Sequence, residues 1–146
     1  ENKPVTKKNI QLRNNQLRSK VKNLLLSDAA LEFPLKGELD TYDLIVMTFC
    51  ADSATASKKV WRRYMKNILK LVAPGGTILI AALRKCKFYT VGKERFPSAN
   101  ITEKDLRDTL IKNGFKSNKF SIEVKEVPEC AEEGYSSLIF ARAIRK

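Results

Sequence analysis

Residues 42–83 decide the fold: YDLIVMTFC at Tyr42–Cys50, a basic amphipathic segment, VAPGG at Val72–Gly76 and TILIAAL at Thr77–Leu83. The two apolar runs are too short to cross a bilayer as helices and too uniformly apolar to alternate, so they read as strands buried on both faces. Between Ser57 and Val72, apolar side chains recur at Val60, Trp61, Tyr64, Met65, Ile68, Leu71 and Val72, the stripe of an amphipathic helix. Lys59, Arg62, Arg63, Lys66 and Lys70 take the other side. Pro74 and Gly75-Gly76 stop the helix and turn the chain into the next strand. The product is a βαβ unit with a right-handed crossover and parallel strands. The loops after Phe49 and Leu83 then share one sheet edge, where open α/β folds bind ligands.

Working outward, 146 residues are one domain's worth, and 43% hydrophobic content suits a globular core. No apolar run approaches the ~20 residues of a membrane span, and the first residues lack a signal peptide's apolar centre. Cys50, Cys86 and Cys130 are odd in number and widely spaced, which offers neither a disulfide framework nor a Cys-x-x-Cys site. Reduced thiols fit the cytoplasm. Histidine is absent altogether, which removes the usual general base, the commonest metal ligand and the Ser-His and Cys-His pairs. Any chemistry here needs little proton transfer.

The net charge of +12 invites a nucleic-acid reading. Its distribution weakens that reading, because the excess lies in the first 22 residues, on the helix around Arg62, and from Arg84 to Arg95. A solvated basic surface explains it.

The remaining elements follow in order. Residues 1–16 read as a polar tail or linker with Pro4, leading into a short helix near Ile10 to Ser19. Val21 to Leu26 reads as a further buried strand with Asp28 at its carboxyl end. Pro34 and Gly37 mark a connection. Phe88–Val91 and Arg95-Phe96 flank Gly92-Lys93-Glu94 as a hairpin. Thr102 and Asp105 form a capping box for a helix ended by Asn113-Gly114. FSIEVKEV, Phe120 to Val127, is a half-buried strand, and SLIFARAI, Ser137 to Ile144, a more fully buried one. The chain is α/β.

Taken together, LRSKVKNLLLSDA, YDLIVMTFCADSA, PGGTILIAAL, FYTVGKERFPS and EEGYSSLIFA resemble, in order and spacing, the nicotinamide, phenylethanolamine and indolethylamine N-methyltransferases. These are class I S-adenosylmethionine-dependent enzymes. The resemblance covers residues 17–146 and implies the C-terminal part of a Rossmann-like methyltransferase sheet, mostly parallel with an antiparallel last strand and a hairpin lid at 84–98. The family's first strand, with its acidic-Gly-x-Gly cofactor loop, is missing. Six glycines are present, at 37, 75, 76, 92, 114 and 134, and none forms Gly-x-Gly.

Within the resemblance, Asp28 carries the carboxylate for the adenine amino group and Ala29 the backbone N–H to the ring; Asp28 equally fits a turn cap. Thr48 and Phe49 match positions lining the cofactor, although a buried strand end explains Phe49 as well. On the acceptor side, Asp52 matches an acidic position, Tyr89 an aromatic wall, Ser98 a hydroxyl, and Cys86 a place where the family has serine. A carboxylate near an aromatic wall suits a cationic or polar amine. The strand end that is acidic for nicotinamide methylation is Ala82 or Leu83 here, so nicotinamide is not supported.

The implied activity is N-methylation of a small amine or heteroaromatic nitrogen by S-adenosylmethionine, an in-line displacement needing alignment and dryness more than a base. No catalytic acid or base is named, and no metal. The alternative is a catalytically empty methyltransferase-like module that binds a partner or nucleic acid through its basic surface. A partner of the enzyme reading is the missing N-terminal segment itself.

Overall fold

The computed structural model describes residues 6–35 and 40–146. The expected tail over residues 1–5, with Pro4, and the connection residue Gly37 lie outside the described residues. Elements follow as α1 (Lys7–Lys20), β1 (Tyr42–Thr48), α2 (Lys58–Leu69), β2 (Val72–Leu83), β3 (Phe88–Val91), β4 (Glu94–Pro97), α3 (Glu103–Lys112), β5 (Phe115–Glu126), a 3₁₀ turn (Pro128–Glu133) and β6 (Ser137–Arg145). The main sheet has the order β1-β2-β6-β5, and β3 and β4 form a separate hairpin. β1 and β2 are parallel, as their apolar runs require, with Thr48 level with Ala81. β6 runs antiparallel to both β2 and β5, so β1, β2 and β5 point one way and β6 alone the other.

The βαβ unit has a local cause at each junction. Ser57 caps α2 through Val60 N–H, which satisfies one of the orphan donors of the first turn. Trp61, Met65 and Leu69 are each 1% exposed and pack with Ile78, Ile80, Leu106, Leu110, Phe115 and Ile139. Pro74-Gly75-Gly76 lies within β2 itself, where the register slips between Tyr42 and Leu44. A Cβ on Gly76 would stand 2.9 Å from Ala73 O and 3.1 Å from Asp43 O, so only glycine fits the crossing. α3 is tied to α2 by Asp105, which completes its own capping box with Thr102 and takes Lys58 at 2.7 Å and Arg62 at 3.0 Å. The Arg145 guanidinium donates to the carbonyls of Lys70 and Val72, closing the end of α2.

Two expectations are overturned. The strand expected at Val21 to Leu26 does not form: residues 21–28 are irregular, with Leu24 92% and Leu26 70% exposed. A strand exists only by pairing, and among the described residues β1 offers its outer edge to no neighbour. Nor is β1 buried on both faces. Ile45 and Met47 face the helices, whereas Leu44 is 56% and Val46 63% exposed on a side that no described helix covers. β6 divides the same way, Ile139 and Ala143 inward and Phe140 outward. One covered face produces alternation in burial, whatever the apolar content of the run.

Candidate functional site

At the carboxyl end of β1 and β2, three non-glycine residues hold positive φ: Phe49 (49°), Lys85 (51°) and Asn100 (52°). Such backbone is costly for residues with a Cβ and gathers where the surroundings enforce it. Here the enforcement is visible. Phe49 N–H donates to Ala81 O at 2.8 Å, Lys85 N–H to Ile101 O at 2.8 Å, and Asn100 N–H to Cys86 O at 2.8 Å. The Phe49 ring is left 44% exposed above the sheet edge.

Beneath the edge lies Asp52, 1% exposed. Its carboxylate accepts Leu83 N–H at 2.8 Å and Ser53 Oγ–H at 3.4 Å. Its carbonyl accepts Ala99 N–H at 2.9 Å and Ser98 Oγ–H at 3.1 Å. Burial pushes the Asp52 carboxyl up, against the lowering effect of those hydrogen bonds. The residue therefore binds the loop after β1 to the end of β2 and to the chain leaving the hairpin. Cys86, also buried, donates its thiol to Phe88 O at 3.0 Å, and burial raises its pKa.

The hairpin is held from the other side by Gly134. Its φ is +100°, and an added Cβ would fall 2.4 Å from Phe88 O. That contact brings the 3₁₀ turn against β3 and closes a cavity of about 190 Å³ whose walls include Phe49, Ser53, Leu83, Tyr89, Glu133 and Tyr135. Tyr89 stacks on Phe96 with ring centres 5.5 Å apart and donates its hydroxyl to Ser53 O at 3.3 Å. Tyr135 donates to Glu133 Oε2 at 3.1 Å, and its phenol is pushed above its usual range by Cys130, burial and Glu133.

The residues singled out from sequence thus fall in four places. Phe49 and Tyr89 both line the cavity. Asp52, Cys86 and Ser98 sit below it as framework. Thr48 lies on the open face, bordering a shallow apolar cavity of about 340 Å³ with Val46, Leu79 and Phe140. Asp28 and Ala29 form a turn beside α2: Asp28 Oδ1 accepts Ala30 N–H at 2.8 Å, and Ala29 O accepts Asn67 Nδ2–H at 3.0 Å. Sequence reading passed over Glu133 and Tyr135, because a short 3₁₀ turn has no periodic signal and their place depends on β6 inserting beside β2. Among the described residues no cluster of ligand side chains suits a metal ion.

A mixed sheet with helices on one face and a cavity at the strand carboxyl ends defines an α/β protein of the open-sheet class, and solved structures sharpen that class. A SAM-dependent methyltransferase from Methanosarcina mazei matches with a TM-score of 0.62 at 18% identity, over 96% of this chain and 78% of that one. The N-methyltransferase NodS from Bradyrhizobium japonicum, solved with S-adenosyl-L-homocysteine, matches with a TM-score of 0.58 at 14% identity, over 92% of this chain and 61% of that one. The fold is that of the methyltransferases. More narrowly, the NNMT/PNMT/TEMT family model matches residues 2–143, and the chain belongs to that family. It is 27% identical over 104 residues to human phenylethanolamine N-methyltransferase, across 69% of this chain and 37% of that enzyme. Human nicotinamide N-methyltransferase is 26% identical over 108 residues, across 73% of this chain and 41% of that enzyme. The chain therefore spans about two fifths of the length of these relatives.

Proposed function

We propose that this chain is the acceptor-side portion of a cytoplasmic S-adenosylmethionine-dependent N-methyltransferase acting on a small amine or heteroaromatic nitrogen. The observation that carries the reading is the cavity at the carboxyl edge, which the strained Phe49 and the hairpin's Tyr89 both line. Residues 17–146 are its methyltransferase portion, residues 1–16 a polar tail or linker that includes the first turns of α1, and the 84–98 hairpin a lid over the acceptor. The cofactor fits this edge in part. Thr48 and Phe49 lie at the end of β1, next to apolar surface open enough for an adenosine, while the Asp28 carboxylate is turned into its own loop. Adenine recognition by Asp28 and Ala29 requires that loop to reorient. The glycine-loop portion would pair with the free edge of β1 and cover Leu44 and Val46.

When bound, S-adenosylmethionine supplies an electrophilic methyl group. The residues of this chain do the rest by position. Phe49, Tyr89 and Tyr135 sandwich a flat acceptor and exclude water, and Asp52 fixes the loop that presents Phe49. Asp52, Cys86 and Ser98 serve the acceptor by holding the walls. No helix among the described residues is long and apolar enough to cross a membrane. Calorimetric titration of the full natural chain with S-adenosylmethionine and S-adenosylhomocysteine tests the reading. Absence of heat and of thermal stabilisation at millimolar ligand overturns it.

A further inference from the structure

We infer that a second cleft, formed where β2 and β5 end and β6 begins, binds a small zwitterion of the α-amino-acid class, its carboxylate held by Lys85 and Ser137 and its ammonium by Glu126. The cleft has a volume of about 370 Å³ and, among the described residues, shares only Tyr135 with the smaller cavity that Phe49 and Tyr89 line. Backbone hydrogen bonds fix its walls: Arg84 N–H donates to Ser137 O at 3.0 Å, Lys85 N–H to Ile101 O at 2.8 Å and Val127 N–H to Ser136 O at 2.8 Å. Ser137 is left needing a partner. It is 4% exposed, and its hydroxyl has no hydrogen bond among the described residues. Because no fully buried side-chain oxygen among those residues lacks a partner, this hydroxyl keeps an opening to solvent, and the cleft it lines is that opening. A hydroxyl so enclosed is satisfied by water or by a ligand. Charge decides which ligand. Lys85 and Glu126 line the cleft with opposite signs, and neither makes a hydrogen bond or ion pair through its side chain among the described residues. Glu126 stands level with Ser137 across β5 and β6, which puts both side chains on one face of the sheet. Arg84, the other cation of the cleft, is already matched to Glu103 through Nε at 2.8 Å and Nη2 at 3.2 Å. A dianion here meets the Glu126 and Glu103 carboxylates, and a simple ammonium meets Lys85. A molecule that carries both charges a few bonds apart satisfies each, through charge-assisted hydrogen bonds. The volume suits a ligand of that size.

The test uses the full natural chain saturated with S-adenosylhomocysteine, which keeps the probes out of the place taken by that ligand's own amino-acid end. Three probes share one carbon skeleton: L-leucine, its decarboxylated form isopentylamine and its deaminated form isocaproate. Calorimetry reads the affinity, and NMR amide shifts read the place. L-Leucine binds roughly fivefold or more tightly than either single-charge probe, as one further partly exposed charge contact provides, and it moves the amides of Lys85, Ser136 and Ser137. Lys85→Met removes its advantage over isopentylamine, and Glu126→Gln its advantage over isocaproate. Neither variant moves the midpoint of thermal unfolding, since both side chains are exposed. Ser137→Ala weakens L-leucine and isocaproate alike and leaves isopentylamine unchanged. L-Leucine binding no tighter than the single-charge probes, amide shifts confined to Phe49, Tyr89 and their neighbours, or an advantage that survives Lys85→Met combined with Glu126→Gln each overturns the inference. Failure of S-adenosylhomocysteine to bind counts against the methyltransferase reading instead, and the three probes are then compared without it.

Discussion

The two faces of the sheet are built from the same strands and have opposite fates. On the closed face, α2 and α3 reduce Ile78, Ile139 and Ala143 to 0% exposure. On the open face, Leu44, Val46 and Phe140 remain between 41% and 63% exposed. On β1 and β2 apolar side chains stand on both sides, Leu44, Val46 and Leu79 on one and Ile45, Met47 and Ile78 on the other, so there the difference comes from what packs on each. A half-covered sheet keeps its register through one core, and every polar group near that core is engaged: among the described residues no buried side-chain nitrogen or oxygen lacks a partner. The carboxyl edge with its cavity is an extension of the closed side. Its loops are held by Asp52, Cys86 and Gly134 rather than by anything on the open side.

The sharpest way to break the comparison is to truncate one side chain on each face. Trp61→Ala should cost about 3–5 kcal/mol in urea unfolding, the range for a large aromatic removed from a packed interior. Leu44→Ala should stay within about 0.5 kcal/mol, as for an exposed residue free of special contacts. Equal losses would mean that the open face is covered in the protein tested. Next in size is Gly134→Ala, which places a methyl against Phe88 O and demands φ near +100° of a residue with a Cβ. It should cost about 1–3 kcal/mol and weaken acceptor binding by displacing the 3₁₀ turn that walls the cavity, a joint effect that unfolding and binding measurements read separately.

Asp52→Asn sharpens the comparison through pH. Burial holds the native carboxyl above its unfolded value of 3.8, so the native state binds the proton more readily. Stability from this group is therefore fullest below the unfolded value and declines as pH rises through the native one. The asparagine variant should lack that decline while its side-chain oxygen still accepts Leu83 N–H, and a pH series of urea midpoints reads the difference. The smallest effect belongs to Glu103, held near pKa about 2 by hydrogen bonding to Arg84. Its contribution is present above the ordinary 4.5 and is lost as pH falls toward about 2. Because this pair is solvent-screened, Glu103→Gln should flatten that acid limb by less than about 1 kcal/mol.

How much was legible depended on the range of the interaction. The Thr102–Asp105 box, the glycine turn at 92 and the left-handed Gly114 arise from neighbours within a few residues, the βαβ unit from consecutive elements joined by a single crossover, and all are found. The helix expected near Ile10 to Ser19 forms as α1, capped by Thr6, with no buried residue. Val21 to Leu26 carried the composition of a strand and had no edge to join. Periodicity cannot report the absence of a partner. On the cavity wall, Phe49 and Tyr89 are residues that the resemblance singles out, whereas Glu133 and Tyr135 reach it only because the chain between β5 and β6 folds back over the hairpin.

That strand order has a consequence for how the molecule is assembled. β6 follows β5 in sequence yet lies between β5 and β2. β1, α2 and β2 can condense early from nearby contacts, but β5 has no seat in the sheet until β6 has been synthesised and inserted. During translation β5 must wait as an unpaired strand carrying Phe120, Ile122 and Val124. Contacts between segments distant in sequence form slowly, and waiting strands aggregate. Lys116, Lys119 and Lys125, spaced along β5, place charge on the strand through that interval.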